Sequence, residues 1–207
     1  MRKHHGVTVS EIVGKPTQDL VDLHLAAFRG YMNARLGPRY VGAFLNWFAS
    51  EPDSIALAAH SGGRSVGFAV GAPHGYQASM IRSLLPSAAA AFLLRPNLWP
   101  DLHIWSTSVR KVIGALFSGE TPTPSGVETL IGYSLVAIAV HPDFHRQGIG
   151  GMLIDRFTAA CRLRGANLVT LTVYRENEAA RATYERQGWT LCDEPSGTSK
   201  LVFQRQL

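Results

Sequence analysis

Hydrophobic and polar positions change period several times along the chain, and each change marks an element. Residues 7–13, VTVSEIV, alternate and predict an edge strand. Thr17 stands where an N-cap belongs, and Leu20, Leu23, Ala27 and Phe28 follow at helical spacing. In 37–50, Pro38 lies near a second helix start, with Val41, Phe44, Leu45 and Phe48 as the apolar stripe. The runs 54–60 and 65–73 flank a Ser-Gly-Gly-Arg turn and predict an antiparallel hairpin. From 74 to 126 the pattern is helical. Segment 80–96 is followed by 102–117, where Trp105, Val109, Val112, Ile113 and Leu116 share a face. Pro86, Pro96 and Pro100 punctuate these segments, and a turn-rich linker spans 118–126. The block is expected to be a helical insertion between two strands of one sheet.

The second half repeats strand and helix. Residues 129–140, TLIGYSLVAIAV, form an unbroken apolar run, which predicts a central strand buried on both faces. His141-Pro142 ends it. After a glycine-broken turn, Leu153, Ile154, Phe157 and Cys161 mark a helix; Arg162 and Arg164 suit its C-terminal dipole, and Gly165 suits its C′ position. Residues 167–174 are rich in β-branched side chains and predict a strand. Residues 177–188 predict a helix capped by Asn177, and 189–193 and 199–206 close the chain as strands. The expected architecture is a mixed α/β sheet in a single domain, 1–207, with an insertion at about 74–126.

Composition narrows the picture only modestly. The chain has 207 residues, 46% hydrophobic and 17% charged, enough to bury a substantial core. A formal charge of +5 favours anionic ligands such as phosphates. No dense Lys/Arg run follows Arg2-Lys3, which argues against a nucleic-acid partner. The opening residues lack the apolar region of a signal peptide, and the run 135–140 is too short to span a bilayer. A cytoplasmic protein without a membrane partner is expected. Cys161 and Cys192 lie in different elements without CxxC spacing, so two reduced, buried thiols are expected, with neither disulfide nor metal.

The turn His145-Arg146-Gln147-Gly148-Ile149-Gly150-Gly151 joins a strand to a helix. Unpaired N–H groups and the helix dipole make such a junction suited to phosphate. The glycines let an anion approach, and Arg146 can add charge. Neither familiar glycine motif fits: a dinucleotide pattern needs glycine where Leu153 stands, and a Walker A motif needs a lysine that Met152-Leu153-Ile154 lacks. A tight packing turn would give the same residues.

Further downstream stand Asn177, Ala180, Tyr184, Gly188 and Trp189. Taken with the glycine turn, residues 134–189 resemble the GNAT superfamily of acyl-CoA-dependent N-acyltransferases. There a buried strand leads to [Q/R]xxGxG[G/A] and a helix, then to a second strand and NxxAxxxYxxxGF. The chain departs from that pattern at His145, for Gln or Arg, and at Trp189, for Phe. Ser134 also stands where many relatives carry a strand glutamate, which removes a direct carboxylate base.

The resemblance implies a mostly antiparallel sheet with splayed central strands flanked by helices. It implies acetyl-CoA as co-substrate and no metal. The pyrophosphate would lie on N–H groups from Arg146 to Gly151, with His145 contacting mainly through backbone. The pantetheine arm would run along Ile138, Ala139 and Val140, and the acetyl carbonyl would meet the Val140 N–H. Tyr184 would protonate the leaving thiolate; Asn177, with Ala180 in the same motif, would contact pantetheine or simply cap the helix. Ser134 is a candidate for the amine-side chemistry by direct attack in a ternary complex, with Tyr133, Glu128 and His74 near it. Residues 27–45 and the insertion would wall a small-molecule amine site. The pattern FxGxxxxxLGxxY within 28–40 is reminiscent of relatives from sugar and polysaccharide metabolism. Arg29, Arg35, Arg39 and Arg82 could meet an anionic acceptor such as a nucleotide-linked amino sugar. A protein or peptide amine, and a non-catalytic acyl-CoA sensor, are the alternatives. The protein would be a monomer or homodimer.

Overall fold

The computed structural model describes residues 6–95, 131–193 and 199–207. Seven strands make one open sheet: β1 (Val7–Glu11), β2 (Ile55–Ser61), β3 (Arg64–Pro73), β4 (Gly132–Val140), β5 (Leu168–Tyr174), β6 (Thr190–Asp193) and β7 (Lys200–Gln206). Their spatial order is β1-β2-β3-β4-β5-β7-β6. Every neighbouring pair is antiparallel except β4 and β5. The helices are α1 (Gln18–Ala27), α2 (Met32–Arg35), α3 (Pro38–Ser50), α4 (Gln77–Leu94), α5 (Ile149–Leu163) and α6 (Glu178–Arg186). The fold is therefore a mixed α/β, mostly antiparallel sheet flanked by helices.

Each face of the sheet has its own core. Val41, Phe44, Leu45 and Phe48 recur at helical spacing on α3, as the sequence pattern predicts, and pack with α1 against Phe68, Val70, Ala137 and Ala139. On the opposite face Leu153, Ile154, Phe157 and Cys161 of α5 pack beneath Leu57, Ala69, Leu135 and Val169. Such side chains, sealed at 0–2% exposure on α3 and α5, each contribute roughly 1.5–3 kcal/mol.

A bulge sets which residues of β4 face which core. Gly67 to Val70 oppose Val140 to Ala137, but Gly71 opposes Leu135, which leaves Val136 extra. One extra residue reverses the alternation. Tyr133 and Leu135 consequently face α5, while Ala137 and Ala139 face α1 and α3.

The expected burial of this strand on both faces holds only in part. Val136, Ile138 and Val140 are half-buried, and the strand begins at Gly132. The reason is the sheet itself. β4 and β5 stay in register only over Gly132–Leu135 and Leu168–Leu171. Beyond that, β4 follows β3 and β5 follows β7, and a wedge opens between them.

Three local expectations need amendment. Pro86 lies inside α4 and does not interrupt it; both Pro86 and Arg82, whose carbonyl loses its bond there, are on the solvent side. Cys192 is exposed on edge strand β6, whereas Cys161 is buried, and both are free. The short helix α2 has no apolar stripe long enough to betray it. The predicted segment 102–117, the linker 118–126 and Glu128 lie outside the described residues.

Candidate functional site

A cleft of about 550 Å³ fills the wedge. Its floor is two backbone edges. The His141 N–H donates to the Val66 carbonyl. Antiparallel alternation then commits the backbone groups of Ala139 and Ala137 to β3. Those of Ile138 and Val140 point the other way, along the edge that β5 has left. By the same reasoning the Arg175 N–H to Ser199 carbonyl bond turns the backbone of Thr172 and Tyr174 toward the cleft. The Val140 carbonyl is taken by His145 and the Tyr174 carbonyl accepts from the Asn177 N–H; the groups that stay unpaired are a template for an extended ligand that carries amides.

The glycine turn closes one end. Arg146 (φ +59°) and Gly148 (φ +80°) are both left-handed, which makes the backbone concave and turns N–H groups inward. Helix α5 has no side-chain cap, and its first internal bond runs from the Met152 N–H to the Gly148 carbonyl. The N–H groups of Ile149, Gly150 and Gly151 are thereby left without intrahelical acceptors. A Cβ on Gly150 would stand in the cleft wall, with only Val140 Cγ2 near it, at 4.0 Å. This donor set suits an anion such as pyrophosphate. The Ile149 side chain points into the core, so only its backbone faces this end. Arg146, Gln147, Gly148 and Gly151 are not part of the cleft wall; they form the turn beside it. Gln147 donates through Nε2 to the Asp143 carbonyl. His145 does more than the backbone contact expected of it: its Nε2 lies 2.7 Å from the Val140 carbonyl oxygen.

Along the β5 side, Asn177, Ala180 and Tyr184 all border the cleft. Asn177 caps α6 through Oδ1, which accepts from the Ala180 N–H at 3.2 Å. The Tyr184 ring packs against Trp189 and Phe203 and is 8% exposed. Burial pushes its hydroxyl up to about 12, so the phenol keeps its proton at neutral pH.

The far end of the cleft is aromatic. His24, Phe28, Tyr31 and Phe44 line it from the side of α1 and α3. Tyr31 and Tyr174 meet edge to face across it, ring centroids 5.2 Å apart. No Lys, Arg, Asp or Glu lines the cleft among the described residues, and Arg29, Arg35, Arg39 and Arg82 all lie elsewhere. Ser134 is not in the wall either. Its Oγ lies 3.4 Å from Thr170 Oγ1, which lies 3.0 Å from His74 Nε2. The three form a relay where β4 and β5 are still paired. Burial lowers the His74 pKa, and a backbone hydrogen bond at Tyr133 opposes that. Tyr133 itself is buried on the α5 face.

His24 is the residue that reading the motifs alone misses. It falls on the apolar stripe of α1, between Leu20 and Phe28, and that placement is visible in the sequence. Its ring is 2% exposed; it stacks on Phe68 at 5.9 Å, meets Phe28 at a tilt at 4.7 Å and meets Phe44 edge to face at 5.5 Å. Desolvation lowers its pKa to about 4, and Nδ1 has no partner.

The model of the acetyltransferase (GNAT) family matches residues 17–189, and the chain belongs to that family. That family is one of acetyltransferases. Over 56 residues it is 41% identical to the [ribosomal protein bS18]-alanine N-acetyltransferase of Salmonella typhimurium; the match covers 27% of this chain and 38% of that relative. Two solved structures share the fold along their lengths. One is PaiA N-acetyltransferase from Thermoplasma acidophilum in complex with coenzyme A, with TM-score 0.60, 11% identity, and coverage of 97% of this chain and 99% of that one. The other is the ribosomal-protein-S18-alanine N-acetyltransferase of Escherichia coli, with TM-score 0.54, 15% identity and coverage of 97% and 93%.

Proposed function

We propose that the protein transfers an acetyl group from acetyl-CoA to a primary amine, by direct attack with both substrates bound in the wedge. The observation that carries this reading is the splay of β4 from β5, with the backbone of Ile138 and the N–H of Val140 left by β5 and facing the cleft. The residues present fit the co-substrate. The N–H groups from Ile149 to Gly151 would hold its pyrophosphate, and the β4 edge would pair with the amides of its pantetheine arm. Bound coenzyme A in the Thermoplasma structure supports the same use of this fold.

Acetyl-CoA supplies an acetyl group activated as a thioester. The chain's own residues do the rest. Backbone N–H groups at Ile138 and Val140 can donate to an oxygen on which negative charge develops, in a cleft whose described walls carry no competing charge. Tyr184 holds a proton that it can give to a departing thiolate. His145, through the Val140 carbonyl, fixes the β4 terminus against the glycine turn.

For the acceptor we favour a small molecule. The aromatic end of the cleft supports an amine carried on an uncharged body; among the described residues its wall carries no arginine to meet an anionic amino sugar. A protein N-terminus is the second reading. It is favoured by the activity of the Salmonella relative and by the Tyr31–Tyr174 pair, which could grip a chain end. The setting proposed is the cytoplasm; among the described residues no helix is long and apolar enough to cross a membrane. Calorimetry with acetyl-CoA, followed by thiol release across small amines and alanyl peptides, tests both readings. Absence of acetyl-CoA binding overturns the proposal, and transfer to alanyl peptides alone selects the second reading.

A further inference from the structure

A neutral imidazole sealed among phenylalanines costs stability, so its place in the cleft wall calls for a reason. An unpaired buried polar group is left with its desolvation cost uncompensated, and Phe or Leu would fill the site on α1 without that cost. Phe28 at the C-terminal cap of α1, Phe44 of α3 and Phe68 of β3 surround the ring, and none of them titrates. Nδ1 is sealed. Nε2 is the ring nitrogen that the cleft reaches, since the residue borders it and Nε2 is not among the sealed, unpartnered atoms. The height is right as well. His24 stacks on Phe68, and Phe68 pairs with Ala139, between the two residues whose backbone faces the cleft.

We propose that His24 is the base that takes the acceptor amine's proton. This rests on the acetyl-transfer reading given above. The amine, an ammonium ion in neutral water, leaves one proton to solvent as it enters the cleft, and the neutral amine then donates an N–H to the Nε2 lone pair. As its nitrogen forms a bond to the acetyl carbon, that N–H becomes acidic and the proton passes to Nε2. The carbon–sulfur bond breaks, sulfur keeps the electron pair, and Tyr184 gives it a proton. His24 then returns its proton to water, and Tyr184 is reprotonated from water. The stacked face of Phe68 can shelter the transient imidazolium by cation–π attraction. A neutral resting imidazole also avoids repelling a basic substrate.

The mechanism requires the tautomer with hydrogen on Nδ1 and a lone pair on Nε2, which gives a readout independent of turnover. The test uses the full chain and the variants His24→Phe, which keeps the packing, and His24→Gln, which can accept a hydrogen bond but not a proton. Acetyl-CoA affinity is read by calorimetry, stability by thermal melting, and the His24 tautomer by nitrogen NMR with 2-phenylethylamine present. Thiol release is followed with 2-phenylethylamine and an alanyl peptide. The expected result is a His24→Phe protein at least as heat-stable as wild type, acetyl-CoA affinity within about twofold, and kcat lower by roughly 10² to 10⁴ in both variants. A His24→Phe enzyme within about threefold of wild type, or hydrogen on Nε2 in the amine complex, overturns the proposal. So does a wild-type protein that binds acetyl-CoA but transfers to neither amine, an outcome that leaves the co-substrate site standing. Failure to bind acetyl-CoA at all removes the functional reading beneath it.

Discussion

His24 also makes a prediction about stability that does not depend on catalysis. Its folded pKa is lowered from 6.5 to about 4, so between those values the unfolded chain binds the proton and the folded chain does not. Stability therefore falls as pH drops from about 6.5 toward 4 and is not lost further below it. The size is set by the shift and comes to about 3 kcal/mol. Denaturant titrations from pH 7 to 4 should show this slope in wild type and a flatter one in His24→Phe. Equal slopes would mean that the carboxylates govern acid unfolding. Tyr184 has the opposite shift, and a different test follows. Because its hydroxyl ionises only near 12, it is a donor throughout the working range. Tyr184→Phe should lower kcat by roughly 10² to 10⁴ with acetyl-CoA affinity nearly unchanged. Any alkaline limb below pH 10 should survive in the variant, since it cannot belong to this phenol. Full turnover in Tyr184→Phe would make the residue a packing element of the Trp189–Phe203 cluster.

At the scale of elements, the strand–turn–helix unit was the most legible part of the chain. The period switch at His141-Pro142, the spacing of Gly148, Gly150 and Gly151, and the stripe Leu153–Ile154–Phe157–Cys161 are local signals, and the structure keeps each of them. The bulge at Val136 was not legible, because an apolar run looks the same with or without one extra residue. That single residue decides whether Ala139 faces α1 or α5, and so where His24 lies relative to β4. The order β5-β7-β6 was hidden for a related reason: pairing is non-local, and the strands at 189–193 and 199–206 carry no mark of which neighbour each prefers. The helix α5 N-terminus carries its own prediction. A valine at Gly150 places its side chain in the cleft wall, beside the unpaired N–H groups. Acetyl-CoA affinity should fall at least tenfold, with the melting temperature little changed. Affinity within twofold of wild type, measured by calorimetry, would mean that the anion is bound elsewhere.

The whole molecule is two half-sheets joined along a short seam. Only Gly132–Leu135 and Leu168–Leu171 pair across it, while β3–β4 and β5–β7 are paired over most of their lengths. A co-substrate bound along the β4 edge would fill the open part of that seam. It would bind the folded state alone, so it should stabilise by mass action, by about 2.7 kcal/mol at a hundredfold excess over its Kd. A global gain of that kind would not show where the ligand sits. Amide exchange can. The N–H groups of Ile138 and Val140 face the wedge, whereas those of Ala137 and Ala139 are already committed to β3. Saturating acetyl-CoA should therefore slow exchange at Ile138 and Val140 beyond the common gain, and leave Ala137 and Ala139 with the common gain alone. The same experiment on β5 discriminates the edges, because Thr172 and Tyr174 present the opposite wall. Extra protection there, and none on β4, would place the ligand on the wrong strand and would separate His24 from the reacting carbon.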